Sequence, residues 1–173
     1  MADMIFSGVT FSGGYSISLP PPPPTGTQKA IFGYGLVGAS YVSMTNLVSN
    51  TGVVAADTTG VGTSRQALAA AGYGTDKALF GYGLGPTNQL SMTNLVSNTG
   101  VVGNDVTGVG TARWDPAAAG YGTDKALFGY GVDASLTVVS MTNKVSNTGV
   151  VATDTTGVGT ARQGLAAASY GAA

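Results

Sequence analysis

Apolar and polar residues alternate along this chain in short runs. "KALFGYG" at Lys77–Gly83 and Lys125–Gly131, with a near copy "KAIFGYG" at Lys29–Gly35, reads as a period-two strand ending in a Gly-Tyr-Gly bend. "SMTNLVS" reads as a second strand, and the "SNTG" after it supplies the Asn and Gly that tight turns favour, because both tolerate positive φ. "VVATDTTGVGT" follows as a third strand, rich in Thr and Val. After an Arg and a variable pair, "LAAAGYG" makes a fourth, whose small residues permit close packing. "GYGTDK" carries turn chemistry into the next "KALFGYG". Gly, Thr, Ser and Val interrupt every window that would sustain a helix.

The phrases recur with a fixed period. Lys29, Lys77 and Lys125 stand 48 apart, and Met44, Met92 and Met141 stand 48 and then 49 apart. Three tandem units result, 29–76, 77–124 and 125–171, preceded by an arm at 1–28. A period of roughly 40–50 residues is that of propeller blades, and four antiparallel strands per repeat is the blade itself. The pattern predicts an all-β fold, a β-propeller of four-stranded blades with three blades per chain.

The order "AR…LAAAGYG–DKALFGYG–…–TNLVSNTG" resembles the kelch-type repeat from Lys29 to Gly171. Two features depart from kelch: Tyr splits the double glycine at Gly33-Tyr34-Gly35 and its copies, and the fourth-strand Trp is missing. The repeat phrases also resemble those of virion and tail-associated structural proteins of bacteriophages. That resemblance implies a virion location and a part in a tail fibre or in host recognition.

Propellers close with about four to eight blades, so three would leave the outer faces of the first and last ones bare. The repeats open on "KAIFGYG" and finish on "LAAASYG", a strand that elsewhere precedes "KALFGYG" directly. The first blade therefore lacks its innermost strand and the C-terminal end carries a spare. The expectation is that Leu165–Gly171 of one chain completes the first blade of another. Two chains make a six-bladed homodimer, and a larger ring is the alternative.

Composition narrows the chemistry. The chain has no Cys, His or Glu, and only 15 charged residues with a net charge of −1. Thiolate nucleophiles, imidazole bases and Cys/His zinc sites are excluded, and a polyanionic nucleic-acid partner has no basic patch to meet. Sparse charge suits a molecule whose apolar faces are covered by neighbours. No run approaches the ~18 apolar residues of a membrane span, and the first residues lack the basic and apolar regions of a secretory signal. In the arm, Ile5, Phe6, Phe11 and Tyr15 sit in two short strand-like runs before Pro20–Pro24, five prolines that as polyproline II form a stiff rod of about 15 Å. The arm reads as an anchor to a larger assembly; an ordered cap or a frayed end is the plainer alternative.

The charges that recur in every unit are Arg65, Arg113 and Arg162 with Asp57, Asp105 and Asp154. Arginines repeated in this way can ring a channel and grip acidic sugars. They can also bond carbonyls between blades or pair with the repeated Asp, and a need felt in every blade favours that structural reading. The Asp residues fall mostly in turn contexts, which weighs against a glycosidase pair or a calcium loop. "FGYGLG" at Phe80–Gly85 has no following helix to cradle a phosphate. No cofactor, metal or catalytic residue is expected.

Strand direction alternates within a blade, so the variable segments Leu36–Val42, Leu84–Leu90 and Val132–Val139 share one end with Gln66-Ala67, Trp114-Asp115-Pro116 and Gln163-Gly164. Tyr41, Asn88, Trp114, Asp115 and Asp133 on that end are candidates for contact with a host glycan or surface protein. Neutral drift in unconstrained loops produces the same pattern. The function expected is a non-enzymatic structural or adhesive component of a larger particle. A soluble, extracellular lectin-like propeller is the alternative, and a carbohydrate-active enzyme the weakest reading.

Overall fold

A computed structural model describes residues 28–171. The anchor candidates Ile5, Phe6, Phe11 and Tyr15 and the run Pro20–Pro24 lie outside the described residues. All regular structure among those described is strand, and every pairing between strands is antiparallel. The strands are β1 (Ala30–Val37), β2 (Ser40–Val48), β3 (Ala69–Tyr73), β4 (Lys77–Gly81), β5 (Thr93–Val96), β6 (Arg113–Trp114), β7 (Ala117–Tyr121), β8 (Lys125–Gly129), β9 (Val132–Asp133) and β10 (Thr142–Val145).

They form three successive modules that cut across the sequence repeats. β3 closes the first repeat in sequence yet pairs with β4, from Ala69 opposite Gly81 to Tyr73 opposite Lys77, and β4 pairs in turn with β5. The order β7–β8–β10 repeats that sheet in the same register. Among the described residues the first module has only β1 and β2, and no strand pairs with β1 as β3 does with β4. The small residues of "AAAGY" let the innermost strands crowd together: the carbonyl of Gly72 on β3 lies 3.5 Å from where a Cβ on Gly120 of β7 would stand.

The Thr/Val segment expected as a full strand is reduced to two bridges per module. Val54 meets Val48 and Thr58 meets Thr45; Val102 and Val106 meet Val96 and Thr93; Val151 and Thr155 meet Val145 and Thr142. The physical reason is an asparagine. Between the bridges Asn46, Asn94 and Asn143 each donate a side-chain N–H to a carbonyl of that segment, Ala55, Gly103 and Ala152, at 3.0–3.1 Å. The amide occupies an acceptor a regular ladder would use and bows the segment outward.

The core lies between modules. Tyr73, Leu79, Tyr82, Ala126, Phe128 and Val145 make one cluster, while Phe80, Val96 and Val102 make another with Ile31 and Tyr34 packed against it. Among the described residues the outer face of the first module has no such cover: Phe32 is 62% exposed where its counterparts Phe80 and Phe128 are 4% and 0%. The last segment, Leu165–Gly171, pairs with no strand.

Candidate functional site

The most elaborated chemistry sits at the joints between modules, and it begins with a strained tyrosine. Tyr34, Tyr82 and Tyr130, at the centre of each Gly-Tyr-Gly, have φ of 64°, 63° and 64°. This left-handed geometry is costly for a residue with a Cβ. It turns each ring toward the loop of its own module, where the hydroxyl donates to the carbonyl of Val61, Val109 or Val158 at 3.0, 3.2 and 3.1 Å. An arginine then lies over each ring, with its Cζ 4.3 Å from the centroid for Arg65, 4.1 Å for Arg113 and 4.3 Å for Arg162.

At the two internal joints the arginine reaches into the next module. Arg65 donates through Nη2 to Asn94 Oδ1 at 2.7 Å and through Nε to the carbonyl of Tyr82 at 2.9 Å. Arg113 donates through Nη2 to Asn143 Oδ1 at 2.6 Å. The same asparagines donate onward to Asp105 and Asp154, both at 2.9 Å. Those carboxylates close the circuit by accepting the amide and hydroxyl of Thr63 and Thr111 from the preceding module, the hydroxyls at 2.7 Å. A Cβ on Gly62 or Gly110 would strike the Asp carboxylate and the Asn amide, and both glycines have φ of 75°. That contact explains "GVGT".

The electrostatics follow from burial and saturation. Burial pushes the Asp105 and Asp154 carboxyls up. Hydrogen bonds from Thr63 and Asn94, or from Thr111 and Asn143, together with the nearby arginine, outweigh it and hold both below the ordinary carboxylate range. Burial draws Arg65 and Arg113 down, against the pull of Tyr34 and Tyr82. The Tyr82 phenol is pushed up to about 12 by burial, in spite of Arg113. Arg65 and Arg113 are 0% exposed. Neither faces a channel or can reach an acidic sugar; both work as clamps. The recurrent tyrosines read from the sequence as strand and turn packing, and Asn46, Asn94, Asn143 and the threonines of this joint were not singled out, although their recurrence in every "TN" and "GVGT" was the available signal.

Some variable segments meet in pairs. β6 runs beside β9, with Arg113 opposite Asp133 and Trp114 opposite Val132, and in the preceding module Gln66 bridges Leu84. Trp114 is half-buried on this strip. The amide of Asp115 donates to the carbonyl of Ala67 at 2.8 Å, tying two connectors together. The Asp133 carboxylate accepts the amides of Ser135 and Thr137 at 2.9 and 3.0 Å and so shapes its own loop. Tyr41 pairs with Leu36 within the β1–β2 hairpin, and Asn88 sits in the loop where its carbonyl accepts the Gly85 amide at 2.9 Å. Trp114 and Asp133 thus share a strip, while Tyr41 lies on β2 and Asn88 in another loop.

At the constant end Lys77 and Lys125 pair with their neighbours Asp76 and Asp124 at 2.8 and 2.7 Å, and hydrogen bonds from those lysines lower both carboxyl pKa values. Among the described residues no three carboxylates gather as metal ligands, and no helix is long and apolar enough to cross a membrane. No family model and no curated protein matches the chain. Its function has to be argued from its own geometry.

Proposed function

We propose that this protein is a non-enzymatic structural or adhesive component of a larger particle, of the phage virion or tail-fibre kind that its repeat phrases resemble. Its three modules form part of a β-propeller completed by further copies of the chain. Residues 1–24 tether the ring to the particle. The variable end with Trp114 faces outward to a host glycan or surface protein.

One observation carries this reading: the repeated charged side chains at the joints are consumed in holding one module to the next. Asp105 and Asp154 accept three or four hydrogen bonds each, which leaves little capacity for a catalytic proton. A chain that spends its recurrent chemistry on joints is organised as a scaffold. The half-buried Trp114 on its strip favours one second reading, a soluble lectin-like module without a particle.

Deleting residues 1–24 separates the two. A tethered component loses particle association while the repeat region keeps its strand signal by circular dichroism. Unchanged association removes the tether. Release of reducing ends from a host polysaccharide would overturn the non-enzymatic assignment altogether.

A further inference from the structure

We infer that the two open faces of the chain are the separated halves of one joint, which a second copy completes head to tail. The inference rests on the reading that copies complete the ring, and it assigns the residues that do so. Within the chain the joint is built twice from identical parts: tyrosine, arginine and threonine from one module, phenylalanine, asparagine and aspartate from the next. Beyond the third module the first set stands alone. Arg162 lies 4.3 Å over Tyr130 and donates to the carbonyl of Thr160 at 3.0 Å, while Tyr130 donates to Val158 at 3.1 Å. These match the internal copies, yet Arg162 is exposed and, among the described residues, Thr160 meets no carboxylate.

The second set stands alone at the other end. Asn46 donates to Asp57 at 2.8 Å and to the carbonyl of Ala55 at 3.1 Å, the arrangement that Asn94 keeps with Asp105 and Gly103. Beside it Phe32 projects 62% exposed, whereas Phe80 and Phe128 sit edge-on to Tyr34 and Tyr82 with centroids 5.1 Å apart. A Cβ on Gly33 would meet Phe80 and one on Gly81 would meet Phe128, but behind Gly129 the equivalent slot holds no ring. Shifting the internal pattern by one repeat puts Phe32 of the second copy in that slot. It also puts Asn46 of the second copy on Arg162, and its Asp57 on Thr160.

The tail fits the same operation. A groove of about 900 Å³ opens between the first two modules, lined by Ile31, Leu47 and Val53 on one side and by Ala71, Phe80 and Val96 on the other, and the start of β1 at Ala30 lies along it. Copying the register of β3 on β4 sets Ala166 opposite Gly33, Ala168 opposite Ile31 and Ser169 opposite Ala30 of the second copy. Strand addition of this kind gains main-chain hydrogen bonds and covers an exposed edge. Tyr170 is 99% exposed in the single chain, while Tyr73 at the same place in β3 is 4% exposed. The contact is heterologous, and two such contacts close a ring of two copies.

The chain has no cysteine, so introduced thiols report register cleanly. The tests are the mass of the protein in solution, non-reducing electrophoresis of Ala30→Cys with Ser169→Cys, and the off-register control Ala30→Cys with Ala167→Cys. Arg162→Ala and Thr160→Val are assayed for association, and circular dichroism verifies that each variant is folded. The expected result is a two-chain mass, a cross-link between chains in the first pair only, and association weakened about 30-fold or more by Arg162→Ala, the usual loss when one partner of a buried polar pair is removed. A single-chain mass overturns the ring reading and this inference together. A multi-chain mass with association indifferent to both substitutions, or with no in-register cross-link between chains, overturns this inference alone.

Discussion

Arg113 and Arg162 stand in the same phrase, "GVGTAR", and lead different lives. Both stack on a tyrosine of their own module, but Arg113 is 0% exposed with its fork in the next module, while Arg162 remains at the surface. The local sequence sets the posture of the side chain; the neighbouring module sets its burial and its energetic weight. Stability in such an array is a sum of module and nearest-neighbour terms. The internal joints and the open ends therefore separate the two contributions within one chain.

The largest effect expected comes from emptying an internal joint. Arg113→Ala strands the buried Asn143 amide and the Tyr82 ring and withdraws a cation from the part-exposed Asp154, and an unsatisfied buried amide together with a lost cation–π stack costs about 2–4 kcal/mol. Arg162→Ala, measured by urea unfolding at a dilution that keeps copies apart, lies within about 0.5 kcal/mol of the parent, as surface changes do. Equal losses from the two would show that the tyrosine stack, common to both, carries the joint, and the contrast between internal and open faces would fail.

Glycine sharpens the comparison at the next level of magnitude. Gly110→Ala drives a methyl group into the Asp154 carboxylate and the Asn143 amide, whereas at Gly159 the nearest atom outside the chain neighbours is the Tyr130 hydroxyl at 3.6 Å. Their φ values of 75° and 80° make the backbone strain common to both. The difference between the two variants in thermal melting reports the collision alone, about 1–3 kcal/mol for overpacking. If Gly110→Ala melts with Gly159→Ala, the joint is loose enough to yield.

Much of this organisation was legible beforehand. The period, the all-β character and the offset between repeat and sheet follow from turn residues and from the two ends of the repeat region, which are local signals. Strand alternation also sets variable connectors beside variable loops, and Trp114 pairs with Val132 in that way. That the repeated arginines join blades was read from their recurrence, but which residues answer them across a module boundary could not be read locally. Thr63 and Asp105 lie 42 residues apart, and Arg65 and Asn94 lie 29 apart. Nothing around any of them marks the other. Asn94 was hidden for a second reason: its amide displaces a ladder bond, so Thr/Val propensity overstated the outer strand.

An alkaline titration probes the same joints with a smaller effect. The Tyr82 phenol, pushed up to about 12 by burial, ionises more readily once the joint opens. Because the folded value is the higher one, its contribution is fully present below the unfolded pKa of about 10 and is lost as pH rises from there toward 12. The measurable outcome is a fall in melting temperature over that window, steeper in the parent than in Tyr82→Phe. The phenylalanine variant forfeits the hydroxyl bond to Val109, about 1 kcal/mol at neutral pH. Identical alkaline slopes would mean that Tyr82 is reached by solvent without separation of the modules.

Acid acts on the other side of the circuit, and the sign reverses. Asp105 and Asp154 have depressed folded values, so what they contribute is present above the unfolded carboxyl pKa of about 3.9 and fades as pH falls through the lower folded one. Both carboxylates remain partly open to water, which moderates the effect. Protonation nevertheless removes an acceptor that Thr63 or Thr111 holds through both amide and hydroxyl. Melting temperature should therefore decline on acidification below about pH 4, and Asp105→Asn with Asp154→Asn should flatten the decline while lowering stability at neutral pH. The lysine-paired Asp76 and Asp124 are lowered too, but they lie in exposed turns outside the joint circuit. If replacing those two by Asn flattens the acid limb while the joint pair leaves it intact, the turns rather than the joints govern acid stability. The arginine–asparagine–aspartate circuit would then hold the modules together by shape and neutral hydrogen bonding alone.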